Sequence, residues 1–148
     1  MSKLASRVLI ASMFFVVLAP VMSYAQITNE VDVNVPFKFY AANTLLPAGK
    51  YTIRVSSFDD PNFLLIESAD GGVGVFLDTE SAQTPVGKTS ADTNLDFNRV
   101  KGHEFLSKIW VEGKMTGYQI LPSHFEQKLE KAGASGEHHS VKAIHKNK

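Results

Sequence analysis

The strongest constraint on this chain is a two-residue rhythm that begins at Val31. Val31, Val33, Val35, Phe37 and Phe39 fall on one side of an extended backbone, and Asp32, Asn34, Lys38 and Tyr40 fall on the other. A period of two marks a strand with one buried face, because helical side chains repeat at 3.6 residues. Pro36 interrupts the run and has no N–H to donate to a ladder. The strand must therefore lie at a sheet edge, bulge, or change partners at that point.

The same rhythm returns between turn signals. Leu46-Pro47-Ala48-Gly49 suits a type I turn, with Gly49 free to take positive φ in a following bulge. Tyr51, Ile53 and Val55 then share one face, and Asp59-Asp60-Pro61-Asn62 ends the strand with turn chemistry. Asp70-Gly71 is a favoured hairpin pair. Counting outward from it sets Ile66 opposite Val75, Leu64 opposite Leu77, and Leu65 opposite Phe76. Both faces of this hairpin are apolar, which predicts a central position. The polar stretch from Ser81 to Thr93, with Pro85 and Gly87, is expected to be a mobile surface crossover. A second hairpin around Lys101-Gly102 pairs Arg99 with Glu104 and Phe97 with Leu106.

Gly113 and Gly117 bracket a further turn before a short strand from Tyr118 to Leu121. Ser123 and Glu126 have capping-box spacing, which predicts a two-turn helix from Ser123 to about Lys131. From Gly133 to Lys148 only Val141 and Ile144 are larger aliphatics. Too little apolar surface is present to anchor that segment, so it is expected to be a disordered basic, histidine-containing tail. About six to eight short strands with one terminal helix predict an all-β fold, an antiparallel β-sandwich, with an open β-barrel as the alternative.

The N-terminus carries a different signal. Lys3 and Arg7 precede an almost unbroken apolar run from Val8 to Met22, and Ser23-Tyr24-Ala25 offers small residues where a signal peptidase reads. A signal peptide over residues 1–25, cleaved between Ala25 and Gln26, is expected, leaving a single β domain over 26–132 and the tail. Pro20 breaks the apolar run well short of the roughly 20 residues a membrane-spanning helix needs, so no retained anchor is expected. The destination is periplasmic or extracellular.

Charge and cysteine content narrow the partners. The chain has 15 basic and 15 acidic residues. Loss of Lys3 and Arg7 leaves a slight acidic excess, and no broad positive field remains to attract nucleic acid. With no cysteine in the sequence, disulfides, thiol catalysis and thiolate metal sites are excluded.

The familiar chemical motifs are incomplete. Gly87-Lys88-Thr89 ends like a phosphate-binding loop, but that motif needs glycine where Ala82 stands. His103-Glu104 begins a zinc-protease signature whose second histidine is replaced by Ser107. Gly133-Ala134-Ser135-Gly136 lacks the spacing of a nucleophile elbow. Asp59 and Asp60 read as turn formers, and Asp32, Asp96 and Glu112 as the solvated faces of strands. His138, His139 and His145 read as part of a mobile tail rather than a metal site, since a flexible site bears the full ordering entropy. Trp110, Tyr40, Tyr51 and Tyr118 are assigned to packing ahead of a ligand platform. No catalytic, cofactor or metal residue is nominated.

Several of these residues together resemble a family of small exported bacterial proteins of unassigned function. The likeness rests on Pro36-Phe37 with Phe39, Leu46-Pro47-Ala48-Gly49 with Tyr51, Phe105-Leu106, Trp110, Gly117 and Leu121-Pro122-Ser123, and covers roughly residues 31 to 130. It implies an exported β-rich domain and brings no catalytic residues. His124-Phe125 stands where the family has a charged stretch, and the histidine-bearing tail departs from it. The expected function is a non-enzymatic binding or structural module of the envelope or extracellular space, with an unknown partner there. The alternatives are a secreted glycan hydrolase and a small-ligand carrier with a hollow barrel.

Overall fold

The computed structural model describes residues 30–57, 59–86 and 88–146. The expected leader, with its junction at Ala25 and Gln26, lies outside them, as does Gly87. Among the described residues, no helix is long and apolar enough to cross a membrane.

Alternation at the start of the domain becomes β1 (Glu30–Val35), which buries Val31, Val33 and Val35. It runs antiparallel to β4 (Gly49–Val55), with Val31 opposite Ile53 and Val33 opposite Tyr51. At Pro36 the chain changes partners. It re-enters as β2 (Phe39–Ala41), whose Tyr40 pairs in parallel with Phe105, and turns back into β3 (Thr44–Leu46). This small hairpin had no signal in the sequence, because its turn uses Ala42 at a φ of 50° instead of a glycine. Gly49, in contrast, needs no positive φ and opens β4 opposite Val35. The Pro47 turn is held instead by the Tyr51 hydroxyl, which donates to the Pro47 carbonyl at 2.6 Å.

The two expected hairpin registers are observed. β5 (Phe63–Ser68) and β6 (Gly74–Gln83) set Ile66 opposite Val75, Leu64 opposite Leu77, and Leu65 opposite Phe76. Only one face of this hairpin is covered. Leu64, Ile66 and Leu77 are buried, whereas Phe76 is 58% exposed and stacks on Phe63 outside. β7 (Asn94–Val100) and β8 (His103–Trp110) pair Arg99 with Glu104 and Phe97 with Leu106. Part of the expected crossover is itself strand, since β6 continues to Gln83 and pairs there with β9 (Thr116–Ile120).

The sheet closes, and the sandwich expectation is corrected to a barrel. Eight strands form the ring β8-β7-β10-β1-β4-β5-β6-β9, and β9 returns to β8 through Lys108 opposite Gln119 and Ile109 opposite Tyr118. Three local features bend the sheet far enough. β6 serves β5 along its first half and β9 along its second. β8 carries an irregularity opposite Asp96 and Phe97 that leaves Ser107 unpaired in the ladder. Gly117 admits the Trp110 ring and the Ile109 carbonyl so closely that a Cβ would sit 2.6 Å from each. Alternation reports which side chains go inward; it does not report whether the last strand meets the first. In a barrel the meeting removes exposed edges.

The larger correction concerns the tail. Gly136–Lys146 is β10, an ordered stave pairing with β1 on one side and β7 on the other. Its weak apolar content was misleading because neighbouring ladders, rather than its own side chains, hold it. Before it comes the expected helix, α1 (His124–Lys131), capped by Ser123, whose hydroxyl accepts from the Glu126 N–H at 3.0 Å.

The barrel is packed through its middle. Phe39 meets Tyr51 and Phe97 edge-on at 5.4 and 5.5 Å, joining β2, β4 and β7. Phe97, Leu95, Ile66, Leu77 and Ile109 are all essentially inaccessible. A crevice of about 10 Å³ beside Val31, Ile53, Leu64 and Ile109 has room for about one water at most.

Candidate functional site

A groove of about 360 Å³ lies outside the barrel, between α1 and the outward faces of β7, β8, β9 and β10. Its roof is fixed by the cap. The Ser123 hydroxyl accepts from Glu126 while the Glu126 carboxylate accepts from the Ser123 N–H, so two otherwise unpaired helix donors are satisfied reciprocally. Phe125 then packs against His103, Tyr40 and Phe105 at ring distances of 5.0, 5.4 and 5.9 Å. The His124 N–H donates to Asn43 in the β2–β3 turn at 3.1 Å. One flank of the helix is thereby anchored to β2 and β8.

The other flank faces the groove. Asn98 is 7% exposed, and its Nδ2 donates to Glu126 Oε1 at 2.9 Å and approaches Glu130 Oε1 at 3.5 Å. Burial pushes the Glu126 carboxyl above the usual range, and the Glu130 charge adds to that effect, while the Asn98 hydrogen bond opposes it. Gly136 makes the arrangement possible, since a Cβ there would fall 1.9 Å from Asn98 Oδ1.

Asp96 forms the groove's opposite end and is a hub rather than a free solvated carboxylate. It accepts from Trp110 Nε1 at 2.7 Å and from the Ser140 hydroxyl at 2.6 Å, and its carbonyl accepts from Ser107 at 3.0 Å. Lys108 places its ammonium 5.9 Å from the Trp110 ring centroid. Gln119, His138 and Ser140 complete the polar lining.

The remaining sequence candidates are dispersed. Asp32 accepts from Thr52 at 2.9 Å and pairs with Lys146; the Lys146 hydrogen bond holds its carboxyl below the ordinary range. Asp60 accepts from the Asn62 N–H at 2.9 Å, as turn chemistry requires. The Glu112 N–H donates to Thr93 at 3.0 Å. Glu104 points away from its neighbour His103; it is 6% exposed, pairs with Arg99, and lies 3.4 Å from His139 Nε2. His138 and His139 both line the groove, the His139 ring also packing against Phe37 and Phe97, and the side chain of His145 is half-buried farther along the strand. Among the described residues, no group of three His, Asp or Glu side chains is arranged to hold a metal ion. Tyr51 is in the core, Tyr40 is under Phe125, Trp110 is hydrogen-bonded to Asp96, and Tyr118 lies at the small crevice beside Val31 and Ile109, so these four aromatics form no common platform.

Asn98, Lys108, Gln119, Glu126 and Glu130 carried no site signal in the sequence. The one available clue was Glu126 and Glu130 at helical i,i+4 spacing beside the capped start of α1. Set against protein-family profiles, curated proteins and solved structures, the chain has no significant match.

Proposed function

We propose that this chain is an exported, non-enzymatic binding or structural module of the cell envelope or extracellular space, taking its partner in the groove beneath α1. One contrast supports the reading: the interior crevice is about 10 Å³, whereas the external groove is about 360 Å³. A carrier needs its space inside, and this barrel's interior is occupied by its own side chains. The lining suits a mixed polar partner surface, with acids at the α1 flank and Lys108 and Gln119 along the wall.

Glycan hydrolysis has one observation in its favour, the convergence of Glu126 and Glu130 on Asn98. Both carboxyls project from a single helix, whereas glycosidases place their acids on opposite sides of the scissile bond. Binding is the better reading.

Two experiments test it. Affinity capture from envelope extract should recover a partner with the wild-type domain and lose it with Ser140→Trp, which fills the groove; equal recovery, or none, contradicts the proposal. The exported protein should begin at Gln26, and an intact mass that includes Met1 would contradict the export half.

A further inference from the structure

β10 differs from every other stave of the barrel. Each of the other seven places at least one side chain among the buried residues, whereas no residue of Gly136–Lys146 is buried. Its inward positions hold His139, Val141, Ala143 and His145, all only half-covered. What holds it is a pair of backbone ladders and a row of polar tethers. Lys146 pairs with Asp32, Lys142 stands 3.7 Å from Asp92, and the Ser140 hydroxyl donates to Asp96. The strand is the last element of the described residues, and it follows a short connection from Ala132 to Ser135 in which Gly133 has a φ of 81°.

We propose that β10 is an exchangeable strand, and that a second copy of this chain can insert its own Gly136–Lys146 into the slot between β1 and β7. Detaching β10 withdraws no fully buried residue, only the partly covered His139, Val141, Ala143 and His145, yet it exposes two unpaired edges, β1 along Glu30–Val33 and β7 along Asn94–Val100. Such edges recruit a strand. Re-pairing with a copy restores every ladder bond and every tether, so the swapped and unswapped states differ mainly in the hinge.

The slot is selective for this segment. Lys146 must meet Asp32, Ser140 must meet Asp96, and the residue opposite Val100 must lack a Cβ because Asn98 fills that space. A copy carries all three features in the correct order, which an arbitrary extended peptide does not. A four-residue connection released from its turn reaches about 13 Å, enough to carry the strand outward while α1 stays on its own barrel. Exchange in both directions gives a closed two-fold dimer. This inference is independent of the groove reading.

The absence of cysteine allows a direct test. Asn94 and Lys142 face each other across β7 and β10. Chains carrying Asn94→Cys and chains carrying Lys142→Cys are mixed at high concentration, taken through partial unfolding in urea, refolded and oxidised. About half of the swapped dimers should then be covalently linked, as random exchange between two equal populations requires. A mixture of Asn94→Cys with Glu67→Cys, a residue on β5, should give only background linkage. The double variant in one chain should close an internal disulfide, verifying the geometry. As a second readout, deleting Ala134 and Ser135 should convert the wild-type chain to a dimer by light scattering, because the hinge can no longer fold back. Linkage at the background level, or a hinge-shortened chain that remains monomeric, overturns the proposal.

Discussion

β7 and β10 lie side by side, share a ladder, and are built on different principles. β7 buries Leu95, Phe97 and Val100 completely, and Phe97 touches Phe37 and Phe39 at ring distances of 5.1 and 5.5 Å. β10 has no fully buried residue, only the partly covered Val141 and Ala143 against the core and His139 against Phe37 and Phe97, although its backbone is bonded on both sides and its Ala143 N–H donates to the Thr93 carbonyl at 2.9 Å. β7 is fixed by the removal of apolar surface from water. β10 is fixed by the need of its two neighbours for hydrogen-bond partners, and by Asp32, Asp92 and Asp96, which meet its lysines and serine. A stave can therefore be obligatory to a barrel while adding only partly covered side chains to its core.

Substitutions should rank accordingly. Phe97→Ala should cost about 3–5 kcal/mol in urea unfolding, from lost transfer free energy plus the residual cavity. Val141→Ala on the neighbouring strand should cost roughly 1 kcal/mol or less; equal costs would erase the distinction. Gly136→Val should come next among single changes, at about 1–3 kcal/mol, because Asn98 must leave its place and take the Glu126 contact with it. Ser123→Ala should cost about 1 kcal/mol, with loss of α1 docking visible as altered packing of Phe125 near Tyr40.

The smallest effects are those of charge, and two carboxyls should respond to pH in opposite directions. Asp32 is depressed by its hydrogen bond to Lys146, so its contribution is present above the unfolded-state pKa and fades as pH falls through the folded value. Lys146→Ala should flatten the acid limb of the stability profile. Glu126 is raised by burial, so its favourable contribution is complete below the unfolded-state pKa and disappears as pH rises through the folded value. Glu126→Gln keeps the cap and removes the charge. It should stabilise the domain at neutral pH and lose that advantage in acid, a difference readable in thermal melts at two pH values.

Local rules carried much of the fold. Lys101-Gly102 set its register as a two-residue turn with both central residues at positive φ, and Asp70-Gly71 lay at the centre of a longer loop, Ala69 to Gly72, that keeps the register expected from it. Ser123 and Glu126 located α1 because capping is satisfied within one turn. Closure was not legible, since it depends on β10 pairing with β1 and β7 and on β6 passing from β5 to β9, relations between strands far apart in the chain. β10 was missed for the reason that makes it unusual: its inward side chains are imidazoles, a valine and an alanine, which give almost no apolar period. The groove was equally hidden, because Asn98 and Glu126 are far apart in the chain and meet only after α1 folds back across β7.

Hydrogen exchange along Gly136–Lys146 tests the barrel most directly. If β10 is a stave held by its neighbours, the amides of Val141 and Ala143 will be strongly protected, yet will open at lower free energy than those of Phe97 and Leu106. Exchange throughout Gly136–Lys146 at the rate of an unstructured peptide, with β1 and β7 still protected, would contradict both the closure and the role assigned to that strand.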